Sequence, residues 1–523
     1  MRAINVLLAA LVSLVIFLGL FEGGLRLIGK GPKESPLQFD AQVGWVKKPD
    51  YRGTKRQGDV SASFEHNRFG LRDDDVESAD KPEGVFRILA LGDSFTYGYA
   101  VERTDLFVDI LENDLRAAGR PVELINAGTE AWDTAQQAAW LEAHGGTWQP
   151  DLVVLLPYEN DLYWNSQSEY WTPDGPRQKP SYSGDGERLG GALEDNSGKH
   201  WSKRFALTKW LAPKHLEERE PHLFEVAGGK LEKELAPLLN EPPAFQAEVE
   251  AATRGALLAI ANSCEELGSR LLVAPIPSAT GYHQDWLERY EQARGLQSGS
   301  WSPQAAVDQF LALAGGLGIP TVDARGALDA AASESPDERL YWSTDWHFND
   351  RGNRVFAGVL ADELTGGAYG LPPAGEPLEP LGAAAAGAGG LPKWAYLYLG
   401  LLTALSVLYI GTYRDEAAWL APLKIGALLA VIFATFMGIG QLAAILPPSL
   451  GALLPLIFVL GILGFVAFKL GSRLGTITEL IRAFILRGHW YLMPLVVVLL
   501  TIGSLLVVAA SSPLVAPFIY TLF

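Results

Sequence analysis

Cysteine is almost absent from this chain, since Cys264 is the only one in 523 residues. A single cysteine excludes an intramolecular disulfide framework and a cysteine-based zinc site. The eight histidines lack the spacing of metal ligands, so we expect neither a metal site nor a cofactor. The scarcity of cysteine leaves the cellular compartment open, because many exported bacterial proteins carry no disulfide.

Basic residues are also scarce, with 42 Lys and Arg against 60 Asp and Glu and a net charge of −18. The deficit lies in residues 34–390, which carry −25, whereas 1–33 carry +3 and 391–523 carry +4. So acidic a central part disfavours nonspecific binding to nucleic acid or to anionic lipid. We therefore expect no nucleic-acid partner.

Long apolar runs, by contrast, occur at both ends of the chain. Ala3 to Phe21 is uncharged and long enough to cross about 30 Å of hydrocarbon as a helix. No small-residue cleavage site follows, which favours an uncleaved anchor (domain 1–30) over a signal peptide. A C-terminal membrane domain (394–523) is predicted to contain four more spans, at 394–413, 425–446, 450–468 and 490–510.

The distribution of Lys and Arg in short loops predicts the orientation in the bilayer. Basic residues occupy the loops after the first and third C-terminal spans, whereas loop 447–449 has none. With Arg2 inside, the acidic central part lies outside the cytoplasm, although Arg26 and Lys30 oppose this orientation. Residues 474–486 have the apolar spacing of an amphipathic helix on the inner surface. We predict a multi-pass protein of the bacterial inner membrane.

The central part, 31–365, has the pattern of an α/β domain. Apolar runs of strand length alternate with helical patterns, which is typical of a parallel sheet covered on both faces. The predicted strands are 87–91, 122–125, 151–156, 270–274 and 320–323, and the predicted helices are 106–118, 134–144, 245–267, 303–317 and 350–364. Ligands of such sheets bind beyond the carboxyl ends of the strands.

Two segments interrupt or follow this pattern. Residues 162–244 are polar, rich in Trp, Tyr, Gly and Pro, and predicted to form an irregular insertion that acts as a lid or substrate wall. Its aromatic residues either stack on sugars or simply pack the insertion. Residues 366–393, rich in Gly, Ala and Pro, are predicted to be a flexible linker.

Residues with the chemistry of acyl transfer follow the predicted strands. Ser94, in Gly92-Asp93-Ser94, lies on a strand-to-helix turn, where a serine can act as a nucleophile if a base is adjacent. Asp93 is expected to stabilise the turn rather than take part in catalysis. Near the end of the domain, Asp345 and His347 are two apart on a loop, so Asp345 can orient an imidazole that takes the serine proton.

Two further positions offer hydrogen bonds to an oxyanion. Gly128 follows the second strand, where a residue without a side chain lets its N–H approach closely. Asn160 follows the third, where its amide can donate, unless it is an ordinary cap at the strand end. Each such donor typically contributes ~3 kcal/mol to transition-state stabilisation.

These separated blocks, Gly92-Asp93-Ser94, Gly128, Asn160 and Asp345-Trp346-His347, resemble those of the SGNH/GDSL hydrolases in identity and order. The resemblance covers roughly residues 40–365 and extends to membrane-anchored bacterial members through Gly44-Trp45 and Asn67-Arg-Phe-Gly-Leu-Arg72. It implies a flavodoxin-like three-layer α/β/α fold. It also implies Ser94 as nucleophile, His347 as base, Asp345 as its orienter, and the Ser94 and Gly128 N–H groups with Asn160 as the oxyanion hole.

The chain departs from the family pattern at two positions. Tyr158 stands where the third block commonly has glycine, which can reshape the oxyanion pocket. In the last block only Trp346 separates the acid from the histidine, a spacing found in relatives that act on cell-surface polysaccharides. Residues 481–523 carry a second resemblance, to a family of small uncharacterised bacterial membrane proteins.

We expect a membrane-anchored serine esterase or acyltransferase acting on acyl groups, especially acetyl, of an extracytoplasmic glycan or lipid-linked saccharide. The alternative is a noncatalytic or accessory subunit of a membrane glycan-assembly complex, with an integral membrane partner bound through the C-terminal spans. An intracellular lipase is disfavoured by the loop charges.

Overall fold

A computed structural model describes residues 18–19, 22, 35–75, 78–172, 175–195, 223–226, 229–367, 369–378, 393–412, 417–427 and 429–430. The chain divides into two compact units. The larger contains Lys33–Arg204 and Ala212–Ala385, and the smaller contains Met1–Pro32, Phe205–Leu211 and Ala386–Phe523.

The larger unit alternates strands and helices. Its described strands are β1 (Leu37–Asp40), β2 (Gly44–Lys47), β3 (Arg52–Gln57), β4 (Val60–Glu65), β5 (Phe86–Gly92), β6 (Val122–Asn126), β7 (Leu152–Leu156), β8 (Glu169–Thr172), β9 (Gly175–Gln178), β10 (Ser181–Tyr182), β11 (Arg188–Leu189), β12 (Leu223–Val226), β13 (Gly229–Glu232) and β14 (Arg270–Val273). Its α-helices are α1 (Ser94–Tyr97), α2 (Phe107–Ala117), α3 (Thr134–Trp148), α4 (Asp161–Asn165), α5 (Gln246–Leu267), α6 (Gln284–Arg294), α7 (Ala305–Gly316), α8 (Arg325–Glu334) and α9 (Asp350–Thr365).

Four strands form the central parallel sheet, in the order β14-β7-β5-β6. They lie where the sequence predicts strands. The fifth predicted strand, 320–323, is instead an isolated parallel bridge between Thr321 and Val273. Pro320 has no N–H to donate, so this segment contributes two backbone hydrogen bonds, Val273 N to Pro320 O and Val322 N to Val273 O.

The sheet is buried on both faces, as continuous apolar strands require. Ile88 and Ala90 of β5 point into one hydrophobic cluster together with α2 and α9, whereas Leu89 and Leu91 point into another with α3 and α5. Alternate residues of a strand face opposite sides, so both sets need a covering layer. The prediction of an α/β domain with a parallel sheet covered on both faces is confirmed.

Two antiparallel hairpins precede the sheet, β1–β2 and β3–β4. Neither is among the predicted elements. Ala62 and Phe64 of β4 pack against Tyr97 of α1, and Tyr99 lies beside them. The second hairpin is thereby fixed against the first turn after the central strand β5.

The described part of the insertion is more regular than predicted. It contains three short antiparallel pairs, β8–β9, β10–β11 and β12–β13, and the 3-10 segment Lys233–Leu238. Leu231, Ala236 and Leu238 join a hydrophobic cluster with Val249 of α5 and Phe310 of α7. At least these residues pack as ordinary core.

The packed body also extends beyond residue 365. Tyr369 is buried in the sheet's first cluster and its hydroxyl donates to Glu363 Oε1 at 2.7 Å. Gly375 N and Leu378 N donate to the Ala118 and Arg116 carbonyls at the end of α2. Residues 369–378, within the predicted flexible linker, therefore pack against the domain.

In the smaller unit, α10 (Lys393–Thr412) coincides with the predicted span 394–413, and residues 420–427 are also helical. Tyr398 donates to the Gly426 carbonyl at 2.9 Å, which ties the two helices together. Within the described ranges, no helix combines the length and apolar character needed to cross a membrane. The other four predicted spans lie largely or wholly outside these ranges, so the transmembrane segments stay a prediction.

Candidate active site

The turn after β5 is built by the Gly-Asp-Ser motif itself. Asp93 caps α1, and its Oδ1 accepts from Phe95 N at 2.9 Å. A side chain at Gly92 would place its Cβ 2.0 Å from Thr96 Oγ1, so the turn requires glycine there. Ser94 is thus presented at the carboxyl edge of the sheet as the first residue of α1.

Ser94, His347 and Asp345 form one continuous hydrogen-bonded chain. His347 Nε2 lies 2.8 Å from Ser94 Oγ. On the other side of the ring, His347 Nδ1 contacts Asp345 Oδ1, which also accepts from the His347 backbone N–H at 3.2 Å. Because Nδ1–H donates to the carboxylate, Nε2 is left as the acceptor that can take the serine proton.

Aromatic rings hold the imidazole in this position. The centre of the Phe95 ring lies 4.6 Å from the centre of the His347 ring, and the centre of the Tyr99 ring lies 5.4 Å from it. The His347 side chain is only 16% exposed. Little rotation is open to it, which preserves the serine–histidine geometry.

The loop that carries Asp345 is fixed by the turn of the β3–β4 hairpin. Asp59 Oδ2 accepts from Ser343 N and Ser343 Oγ, both at 2.7 Å, and Asp59 Oδ1 accepts from Thr344 N at 3.2 Å. These bonds from Ser343 and Thr344 outweigh the effect of partial burial and lower the pKa of Asp59 to about 2. The Asp59 carboxylate is therefore ionised, and it ties this loop to the hairpin.

A second residue of the same hairpin reaches Asp345 directly. Lys55 Nζ donates to Asp345 Oδ2 at 2.6 Å, and both side chains are buried. Burial alone would raise the pKa of Asp345, but the hydrogen bonds and positive charge of His347 and Lys55 hold it well below its ordinary value. Asp345 is thus a carboxylate and not a proton acceptor in this arrangement.

The strand order brings the segments that carry both predicted oxyanion donors to either side of the strand that leads to Ser94. β6, which leads to Gly128, and β7, which leads to Asn160, flank β5 on either side. Gly128 lies directly against α1, because a Cβ there would be 2.5 Å from Tyr97 N. Its own N–H donates to Asn126 Oδ1 at 3.0 Å, so its part in an oxyanion hole would require that bond to be shared or released.

Asn160 stands at the N-terminal boundary of α4 but makes no side-chain capping hydrogen bond. Its Oδ1 is buried and has no hydrogen-bond partner among the described residues. The alternative that Asn160 is an ordinary cap therefore has no support in its contacts. Its role as an oxyanion donor stays a prediction.

Several carboxyl groups are buried around the site. Burial raises the pKa of Asp93 to about 6, and the Asp93 Oδ2 to Ser94 Oγ distance is 3.5 Å. Burial likewise raises the pKa of Glu159 to about 7, and burial with the charges of Asp93 and Asp133 raises that of Asp161 well above its usual range. A raised pKa favours the uncharged form of Asp161 and so reduces the negative charge next to Asn160 in the chain.

Sequence reasoning missed Lys55, Asp59 and Tyr99. β3 reads Arg-Gly-Thr-Lys-Arg-Gln and has no apolar alternation that marks one face as buried.

In the part of the chain described here, no group of three or more His, Cys, Asp or Glu side chains is placed to hold a metal ion.

Residues 239–391 match the family described as SGNH hydrolase-like domain, acetyltransferase AlgX. This range contains Asp345 and His347 but not Ser94, Gly128 or Asn160. Residues 474–523 match a family of unknown function (DUF5989), which agrees with the second resemblance seen in the sequence. No curated protein matches the chain.

Solved structures also match, at low identity. The lipase/acylhydrolase from Enterococcus faecalis is 15% identical, with 55% of this chain and 99% of that one covered and a TM-score of 0.30. A catalytic mutant of Axe2, an acetylxylan esterase from Geobacillus stearothermophilus, is 13% identical, with 53% and 94% covered and a TM-score of 0.29. The acetyl xylan esterase AlAXEase is 15% identical, with 53% and 100% covered and a TM-score of 0.30.

The family match of residues 239–391 confirms the resemblance to the SGNH hydrolases seen in the sequence. The match of residues 239–391 supports an enzyme of this type that acts on ester bonds, as an esterase or an O-acyltransferase.

Proposed function

We propose that this enzyme transfers acyl groups, especially acetyl, through a covalent intermediate on Ser94. His347 Nε2 takes the hydroxyl proton as Ser94 Oγ attacks the ester carbonyl, and the tetrahedral intermediate collapses to an acyl-serine. The imidazolium returns its proton to the departing alkoxide, which leaves as an alcohol. A second hydroxyl group, from water or a sugar, then attacks the carbonyl of the acyl-serine while His347 Nε2 accepts its proton. The new tetrahedral intermediate collapses, and the imidazolium returns the proton to Ser94 Oγ as it leaves.

The hydrogen-bonded chain from Ser94 to Asp345 is the observation that carries this proposal. It supplies a nucleophile, a base within 2.8 Å of it, and a carboxylate that fixes the base. The negative charge of Asp345 stabilises the imidazolium formed during attack. The Ser94 N–H, the Gly128 N–H and the Asn160 amide are the donors proposed for the developing oxyanion.

We infer that the alcohol portion of the substrate is a saccharide. Trp346, between Asp345 and His347, is 38% exposed, and its ring makes an edge-on contact with Trp286 at 4.6 Å. Tyr290 lies 6.0 Å from the same ring. An exposed indole held by two further rings offers an apolar surface on which the C–H face of a pyranose can stack. The name of the matching family, an acetyltransferase, supports acetyl as the group transferred.

We propose further that the domain works outside the cytoplasm on a glycan or lipid-linked saccharide, anchored by residues 1–30 and the C-terminal spans. Support comes from the apolar runs and loop charges of the sequence. Cys264 is buried, so a cysteine introduced at the exposed position Glu83 would be the reactive thiol. A membrane-impermeant maleimide should label it in intact spheroplasts; labelling only after lysis would place the domain inside.

The catalytic proposal is tested by turnover of a chromogenic acetyl ester by the full-length protein in detergent. We expect Ser94→Ala to lose ~10³-fold or more in kcat, because removal of a serine nucleophile leaves only binding and oxyanion stabilisation. Ser78→Ala, an exposed serine, is the control and should match the wild type. Equal turnover by wild type and Ser94→Ala would exclude the proposal. Addition of an oligosaccharide separates the two outcomes: an esterase yields acetate, and a transferase yields acetylated saccharide.

A further inference from the structure

A buried lysine lies behind the carboxylate of the proposed catalytic chain. Lys55 belongs to β3, outside the four sequence blocks, and its side chain is 8% exposed while that of Asp345 is 9% exposed. A buried ammonium group costs several kcal/mol unless it is paired. The 2.6 Å contact with Asp345 Oδ2 supplies that pairing, so the two charges are fixed relative to each other.

The two oxygens of Asp345 have separate donors. Oδ1 faces the Nδ1 and backbone N–H of His347, and Oδ2 faces Lys55 Nζ. A carboxylate held at both oxygens cannot rotate about its Cβ–Cγ bond without breaking one of these contacts. Loss of Lys55 would therefore release the orientation that Oδ1 imposes on the imidazole.

Lys55 is itself held in place. Its Nζ lies 3.6 Å from the centre of the Tyr99 ring, a cation–π contact. The hairpin that carries it is bonded through Asp59 to Ser343 and Thr344, the two residues before Asp345. The same hairpin thus fixes the backbone of this loop and the side chain at its end.

We propose that Lys55 is a positioning residue for the reaction of Ser94: it holds the Asp345 carboxylate toward His347 and compensates part of its charge. This inference rests on the proposed function. Compensation matters because an isolated buried carboxylate would favour the imidazolium form of His347, which cannot accept the serine proton.

Other charged or titratable groups face this cluster from the neighbouring elements. Asp93 lies near His347, Glu130 interacts with Lys55, Tyr99 faces both Lys55 and Asp345, and Asp59 bonds the loop. All four side chains are retained in the variants below. Because Lys55 also lowers the pKa of Glu130, the charge-retaining Lys55→Arg variant is compared with the neutral ones.

The test compares pH profiles of kcat/KM for the full-length protein on the acetyl ester, with Lys55→Met, Lys55→Gln and Lys55→Arg. In Lys55→Met we expect kcat/KM to fall ~10-fold or more, since small misplacements of catalytic groups cost up to ~100-fold. We expect its acid limb to move up by ~1 pH unit, because removal of a nearby positive charge favours imidazolium. Lys55→Gln keeps a donor without the charge and should show the same displacement with a smaller loss of rate. Lys55→Arg should restore the wild-type acid limb.

Arg56→Met is the matched control, since it removes a cation from the exposed face of the same strand and should leave the profile unchanged. The proposal is overturned if Lys55→Met and Lys55→Gln keep the wild-type profile. It is equally overturned if they lose rate with the acid limb unmoved, as a merely structural role would produce. Should Lys55→Met fail to fold, as judged by thermal melting, the Lys55→Gln and Lys55→Arg pair decides. Unchanged turnover by Ser94→Ala would instead contradict the proposed function, and it would leave the contact between Lys55 and Asp345 unaffected.

Discussion

Ser94 Oγ and His347 Nε2 lie 2.8 Å apart although 253 positions separate the two residues in the chain. The turn after β5 places Ser94, and a loop just before α9 places His347. Helix α9 packs against α2 in the hydrophobic cluster that also contains Ile88 and Ala90 of β5. The pairing therefore depends on the assembled core of the domain. A substitution that leaves this core intact should therefore change the activity through the chemistry of the site and not through the fold.

Asn160→Ala should lower kcat about 100-fold with little effect on KM, which is typical for loss of one oxyanion donor. Its side chain makes no capping bond to α4, so the melting temperature should stay close to that of the wild type. Steady-state kinetics and thermal melting together decide between the two roles. Asn113→Ala, at an exposed position of α2 in the same domain, is the control. A lowered melting temperature with unchanged kcat would instead identify Asn160 as a structural cap.

Gly128→Ala should lose both activity and stability. The new Cβ would be 2.5 Å from Tyr97 N and 2.6 Å from the Thr96 carbonyl carbon, so either α1 or the Gly128 loop must move. Activity assays and melting curves measure the two effects. The control is Gly146→Ala within α3, where the nearest atom would be 3.9 Å away and alanine favours the helix by up to ~1 kcal/mol. Wild-type kcat in Gly128→Ala would show that the loop does not constrain Ser94.

Trp346→Ala should raise KM for an acetylated oligosaccharide about 5-fold and leave KM for a small chromogenic ester unchanged, since one aromatic contact contributes ~1 kcal/mol. Trp346→Phe should recover part of the loss. Phe69→Ala is a closely matched control, because Phe69 is also 38% exposed and its ring makes an edge-on contact with Trp148. If both esters respond equally to Trp346→Ala, the saccharide-stacking role is wrong and Trp346 shapes the site for any ester.

Glu112→Gln should stabilise the domain at neutral and alkaline pH. Burial raises the pKa of Glu112 to about 8, whereas an unfolded glutamate titrates near pH ~4.3. Between these values only the folded state binds the proton, so the Glu112 contribution to the free energy of unfolding falls as pH rises through this window. Glutamine needs no proton and can still accept from Leu124 N through Oε1.

The measurement is the melting temperature of wild type and Glu112→Gln across pH ~4.5 to ~8.5, a range that spans both pKa values. The difference should be smallest at the acid end and grow with pH. Glu83→Gln, an exposed glutamate, should show no such trend. A difference that is constant with pH would mean that Glu112 is ionised in the folded protein.

The sequence predicts those parts of the site that depend on local pattern. β5 and Gly92-Asp93-Ser94 are continuous in the chain, and a buried parallel strand followed by this turn leaves the serine few alternative positions. Asp345 and His347 share one loop, so their contact is also local. Lys55 meets Asp345 across 290 positions, on a strand whose composition shows no buried face, and no periodicity predicts such a contact.

Other features escaped prediction for related reasons. Residues 320–323 have the composition of a strand, but Pro320 lacks the N–H that a full ladder needs, and only a bridge to Val273 forms. Residues 369–378 resemble a linker in composition, yet Tyr369 is buried and the segment bonds to the end of α2. In both cases specific contacts, which average composition does not reveal, determine the structure.

The most direct test of the account is covalent labelling of the full-length protein by a fluorophosphonate, with the modified residue located by peptide mass spectrometry. We expect one label, on Ser94, that is absent in Ser94→Ala and forms at least ~100-fold more slowly in His347→Ala, since the base supplies a factor of that order. A label on another serine, or none on a folded wild-type protein, would contradict the assignment of Ser94 as the nucleophile.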